Sequence, residues 1–177
     1  MNQNPFEILE LSPTFAITAD QIQRAYLQKL STVHPDLGMG DTQPAVDPAS
    51  LNQARDTLNS DEARANLVLD LLGGPSASDT SLPDGFLMEM MMVRTQIDEE
   101  VEEEGDQARD RWEQWAAERR EKTILEVTQL FEKAQSVEAA DTQPVFNELR
   151  MTLNAWRYTE RLIEQLDPTY DPARSDF

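Results

Sequence analysis

Apolar residues recur every three or four positions along nearly the whole chain, and no segment alternates with the period of two that a strand requires. Phe6, Ile8, Leu9 and Leu11 predict a short apolar helix, broken by Ser12-Pro13. Residues 18–33 predict an amphipathic helix opened by Thr18, with Ile22, Ala25, Tyr26, Leu30 and Val33 on one face. After a polar loop, Asp47-Pro48 starts a helix that carries Leu51, Ala54 and Leu58 on one face. Asn59-Ser60-Asp61 then caps another, with Ala63, Leu67, Val68, Leu71 and Leu72 as its apolar face, and Gly73-Gly74-Pro75 stops it.

Residues 73–85 are rich in breakers and small polar side chains, the composition of a domain boundary. Beyond them, Phe86 to about Glu104 carries Phe86, Met90, Val93, Ile97 and Val101 in phase, and Gly105 breaks the pattern. Asp106 to about Val137 carries Trp112, Trp115, Ala116, Val127, Leu130, Phe131 and Ala134. A last helix, capped by Asp141 or Thr142, runs through Phe146, Leu149, Leu153, Trp156 and Ile163 to Leu166. Three long helices with short connections imply an antiparallel bundle. The expected organisation is all-α, with an N-terminal domain at 1–75, a linker at 76–85, a three-helix bundle at 86–167 and a loosely held tail at 168–177.

Charge narrows the choice of partners. The net charge of −19 divides into −6 before Pro75 and −13 from there on. Such a field repels phosphate backbones and anionic lipid, so neither nucleic acid nor a membrane surface is an expected partner. There is no cysteine and one histidine, which excludes thiolate chemistry and the usual zinc ligand sets, and no cofactor or metal is expected. No run of apolar residues reaches membrane-spanning length, and the first residues lack the pattern of a targeting segment, so the chain reads as cytoplasmic. No Ser/His/Asp set or glycine-rich phosphate loop accompanies the many carboxylates, so an enzyme is not expected. Asp98–Glu104 holds six acids in seven residues at a helix C-terminal end, where they oppose the dipole and one another. A solvated, partly frayed end is the expectation there, or else a landing site for a basic partner surface with Glu99 at its inner edge. Trp112, Trp115 and Trp156 are read as bundle core.

One motif carries more. His34-Pro35-Asp36 stands in the polar loop directly after the helix of residues 18–33. Two helices joined by a loop with this tripeptide resemble a J-domain, the module that drives ATP hydrolysis by DnaK-type chaperones. The surrounding residues agree: Tyr26, Lys29-Leu30 and the tripeptide, then Leu51-Asn52, Ala54, Thr57-Leu58, Ser60 and Ala63-Arg64-Ala65. In the second half, Asp84-Gly85-Phe86-Leu87-Met88-Glu89 followed by Arg94 and Asp98-Glu99 is similar to the opening of the C-terminal domain in the HscB family. Leu149-Arg150 and Arg161-Leu162-Ile163-Glu164 resemble that family's last helix. These are J-domain co-chaperones of iron–sulfur cluster biogenesis, and the resemblance runs over about residues 4–166.

The resemblance implies a regulator with two arms. His34, Pro35 and Asp36, with Arg24 and Lys29 on the preceding helix, would meet a DnaK-type (HscA-like) chaperone and stimulate its ATPase. Leu87, Met88, Met91, Met92, Thr95 and Glu99 on the first bundle helix, with Met151 from the last, would hold an iron–sulfur scaffold protein (IscU-like). The chain departs from the family's pattern at Leu37, where a basic residue usually follows the tripeptide, and in having only Arg24 and Lys29 as basic residues on the second helix. Met92 and Thr95 replace positions that are often acidic, and Met151 one that is usually aromatic. Neighbours on a helix diverge by about 100°, so Met88, Met90, Met91 and Met92 cannot all face inward. Met90 is in phase with the core; Met88 and Met92 are expected outside; Leu87 and Met91 fit either place. The alternatives are a J-domain adaptor for a different client and a J-like scaffold that has lost chaperone contact.

Overall fold

The computed structural model describes residues 3–33, 47–138 and 141–166. Among these residues all regular structure is helical, and the chain divides into two units, Met1–Gly73 and Gly74–Phe177. The first unit holds α1 (Pro5–Ile8), α2 (Ala19–Val33), α3 (Pro48–Asn59) and α4 (Asp61–Leu71). The second holds α5 (Phe86–Glu104), α6 (Asp106–Ser136) and α7 (Thr142–Glu164).

Each helix of the first unit starts where a side chain can satisfy otherwise orphaned backbone N–H groups. Asn4 and Glu7 cap α1 reciprocally, and Thr18 and Gln21 do the same for α2. Asp47 Oδ1 accepts from Ala49 N and Ser50 N at α3, and Pro48 occupies the first turn, where its missing N–H costs nothing. Ser60 caps α4 within one residue of the end of α3. The core forms where α3 packs against α1, α2 and α4, and it buries Phe6, Leu9, Ile22, Leu51, Leu58 and Leu69.

The apolar face of α4 differs from expectation. Leu71 and Leu72 are exposed, and the buried positions are Arg64, Ala65, Val68 and Leu69. The reason is Arg64. Its guanidinium donates to the carbonyl oxygens of Phe15 (3.0 Å) and Leu58, pairs with Asp61 and stacks over the Phe15 ring at 5.1 Å. A buried guanidinium with its donors satisfied by carbonyls and a carboxylate can hold an interior slot, and it turns the helix so that two leucines lie outside.

In the second unit, ion pairs report the helix directions. Arg119–Glu89 and Arg111–Glu100 link α6 to α5 in opposite sequence order, and Arg120–Glu160 and Lys133–Glu148 do the same for α6 and α7. The three helices therefore alternate in direction. Phe86, Met90, Ile97, Ala108, Trp112 and Leu162 form one buried cluster, and Val127, Phe131, Phe146, Leu149 and Leu153 extend the core between α6 and α7. With 31 residues against 19, α6 outruns α5. A strap fills the position beside α7 that α5 leaves open. The buried Arg150 donates twice to Pro75 O (3.2 and 3.0 Å), and Asn154 Nδ2 donates to Asp79 O (2.8 Å) and Ser81 O (2.9 Å). The segment expected as a linker at 76–85 is thus hydrogen-bonded to the bundle's last helix.

Gly105 is the single residue between α5 and α6 and has φ +61° and ψ −125°, a combination that side chains with a Cβ scarcely tolerate. A Cβ there would meet no atom within 4 Å, so only backbone strain opposes it. Gly105→Ala should therefore destabilise the bundle by about 1–3 kcal/mol, read as a lower urea midpoint for the second unit. An unchanged midpoint would mean that the turn has another low-strain solution.

Candidate partner-binding surfaces

On the first unit, α2 presents the two cations expected to face a partner. Arg24 is exposed and donates from Nε to Asp20 O at 3.3 Å, which fixes its stem along the helix. Lys29 is half-buried and paired with Glu10, the second residue past α1. Arg24 and Lys29 line a common groove between the end of α1 and the flank of α2. His34, Pro35 and Asp36 lie outside the described residues, directly after the end of α2.

On the second unit, α5 sorts its residues into two faces. Phe86, Met90 and Ile97 are buried with Val93 and Val101 packed against them, all within about 80° of helix circumference. Leu87, Met88, Met91, Met92, Thr95 and Glu99 fall within about 140° on the opposite side, and all six are exposed. Leu87 is 50% exposed, Met91 64%, Met92 70% and Met88 72%, whereas Met90, between them, is 1% exposed. Thr95 Oγ1 donates back to Met91 O at 3.1 Å, so its hydroxyl is spent on the helix and its methyl adds to the apolar stripe. Exposed thioethers in such number give a surface that can repack against irregular partners. Further along, Asp98, Glu99, Glu102 and Glu103 stay exposed and give the stripe an acidic end. Met151 does not belong to that helix: it is half-buried on α7, between the strap-holding Arg150 and Asn154.

The acidic run is not the frayed end expected of it. Helix α5 continues to Glu104, because Arg111 on α6 reaches back to Glu100 (3.3 Å) and Glu104 (2.7 Å). Trp112 Nε1 donates to Glu100 at 3.1 Å and Gln96 Nε2 at 2.8 Å. The Gln96 amide first, then Arg111 and the Trp112 indole, hold the Glu100 carboxyl below the ordinary glutamate range, outweighing its partial burial. No pattern within residues 98–104 announces this. The signal is Arg111 and Trp112, which a one-residue turn at Gly105 returns to the same level. A cavity of about 240 Å³ elsewhere in the bundle has in its lining two ion pairs, Arg119 with Glu89 and Arg120 with Glu160, together with Asp84 and Glu126. Among the described residues, no cluster of three or more histidine, aspartate or glutamate side chains could hold a metal ion, and no helix is long and apolar enough to cross a membrane.

The chain is similar to known proteins in sequence and in fold. The DnaJ domain family matches residues 4–67. The J-type co-chaperone jac1, mitochondrial, of Schizosaccharomyces pombe is 37% identical over 87 residues, covering 47% of this chain and 39% of that protein. The co-chaperone protein HscB homolog of Paraburkholderia xenovorans is 29% identical over 106 residues, covering 56% of this chain and 61% of that protein. The matches thus span less than two thirds of either relative. In fold, the chain superimposes on the crystal structure of human co-chaperone protein HscB with a TM-score of 0.69 at 22% identity, covering 93% of this chain and 81% of that one.

A carboxyl held below its ordinary range stabilises the folded state above that range and loses the contribution as pH falls through its folded value. Glu100→Gln should therefore lower the urea midpoint of the bundle at neutral pH, and the midpoints of variant and wild type should converge as the pH falls below the glutamate range. A gap that stays constant with pH would place the effect in packing rather than charge.

Proposed function

We propose that this chain is a J-domain co-chaperone of the HscB type. It stimulates the ATPase of a DnaK-type chaperone and presents to it an iron–sulfur cluster scaffold protein. The observation that carries the reading is a combination: a DnaJ domain over residues 4–67 with an exposed apolar and acidic stripe on the first helix of a separate bundle unit.

The first arm works through contacts and does no bond chemistry of its own. Pro35 has its φ fixed by its ring, which limits the backbone freedom of the tripeptide itself. Asp36 offers a carboxylate to a chaperone arginine, a charge-assisted and directional contact, and His34 adds a second polar group. Hydrolysis takes place in the partner's nucleotide site, so the chain is a regulator rather than an enzyme. Leu37 and the low number of basic residues on α2 reduce long-range attraction, which acts mainly on association rate. The second arm is the α5 stripe. Leu87, Met88, Met91, Met92 and the Thr95 methyl supply desolvation, while Glu99 and the acids after it favour a basic rim on the scaffold. Met151 would contribute from α7 by a contact of its own.

The test is steady-state ATPase of the chaperone with this protein, with and without the scaffold. His34→Gln should abolish stimulation under both conditions. Met88→Lys with Met92→Lys should leave scaffold-independent stimulation intact and remove the synergy, with scaffold affinity falling about tenfold or more for two desolvated contacts within the stripe. Synergy that survives the paired lysines would move the scaffold site off this face. Stimulation indifferent to the scaffold would assign the bundle to another client.

A further inference from the structure

Building on the reading of Arg24 and Lys29 as chaperone-facing, we propose that Glu10 is an internal competitor for Lys29. In the free protein it holds the cation that a partner carboxylate must claim on docking. Glu10 is the sole non-glycine residue among those described with a positive φ, +54°. It closes α1: Glu10 N donates to Glu7 O (3.2 Å) and Leu11 N to Phe6 O (2.8 Å). This left-handed closure is one that glycine makes without strain and that any residue with a Cβ makes at a cost. Backbone geometry therefore favours glycine here, and the glutamate does something glycine cannot, which is to place a carboxylate on the Lys29 ammonium.

The surroundings suit an exchange of partners. The Glu10 side chain is 72% exposed and that of Lys29 only 23%, so the cation is held against the protein while the carboxylate approaches from solvent. The groove they share, of about 410 Å³, has Leu9, Leu11 and Ala25 in its lining, with Arg24 as its second cation. A docking surface that brings a carboxylate and an apolar side chain fits this groove once Glu10 swings aside. Exposed ion pairs contribute little, and trading one carboxylate for another contributes less. The device therefore weakens docking without blocking it, by about two- to fivefold on that scale. It is a specificity setting, because a partner without a carboxylate at this point gains nothing for displacing Glu10.

The experiment uses the full chain and its cognate DnaK-type chaperone, with ATPase followed against co-chaperone concentration at low and high salt. Glu10→Gln should lower the half-maximal concentration about two- to fivefold at low salt. The maximal rate should stay the same, and the gain should shrink at high salt. Glu10→Gly should give the same gain and also raise the thermal midpoint, because strain is relieved; Glu10→Gln should not raise it. In a Lys29→Ala background, Glu10→Gln should have no effect. Wild-type stimulation with no shift in Glu10→Gln, or a shift that persists without Lys29, would overturn the proposal while leaving the co-chaperone reading in place. No stimulation by the wild type would remove that reading, and the proposal with it.

Discussion

An α-helix turns about 100° per residue, so a helix packed on one side must leave the other side to something else. That constraint governs α5 more than any other element. Phe86, Met90 and Ile97 give the bundle its core at one end, and the same helical pitch then obliges Leu87, Met88, Met91 and Met92 to point away from it. A polar outer face would be the ordinary outcome. Four large apolar side chains are instead exposed there, and they form the apolar part of the surface proposed to dock a partner. The core and the candidate site are thus two readings of one helix.

Charge acts on this scaffold locally. The chain is acidic throughout, yet several carboxylates of the bundle tie its helices together through a nearby cation. Glu100 and Glu104 meet Arg111, Glu89 meets Arg119, and Glu160 meets Arg120. Arg119 also lies over the rings of Phe86 (5.8 Å) and Trp115 (5.2 Å), so one guanidinium ties the start of α5 to the middle of α6 by charge and stacking together. Asp98, Glu99, Glu102 and Glu103, by contrast, stay exposed beside the apolar stripe.

Periodicity and capping residues made most of the helices legible. The spans expected from Thr18, Asp47 and Ser60 begin in the structure within a residue of those positions, and the reading of Met90 as core with Met88 and Met92 outside agrees with their burial. Two features were hidden because a long-range partner decides them, and a third because residue type alone did not decide it. The face of α4 follows Arg64, whose carbonyl acceptors belong to Phe15 and Leu58. The order of the acidic run follows Arg111, beyond the turn. Asp141 stands at the N-cap of α7 but makes no side-chain cap bond, so a residue type suited to capping did not determine a cap. The left-handed backbone at Glu10 was hidden for a different reason: glutamate carries no preference for that conformation.

The strap along α7 carries a consequence for how this sequence can vary. Arg150 and Asn154 grip it through the carbonyl oxygens of Pro75, Asp79 and Ser81, acceptors that every amino acid supplies alike. Substitution along residues 75–81 leaves those acceptors in place as long as the backbone path is kept, whereas replacing Arg150 strands an acceptor that no neighbouring change restores. A deep mutational scan of the whole chain would then show a permissive stretch of strap facing two intolerant positions on the helix beneath it. The strap's course would be recorded in the sequence of the helix that holds it, and hardly at all in its own.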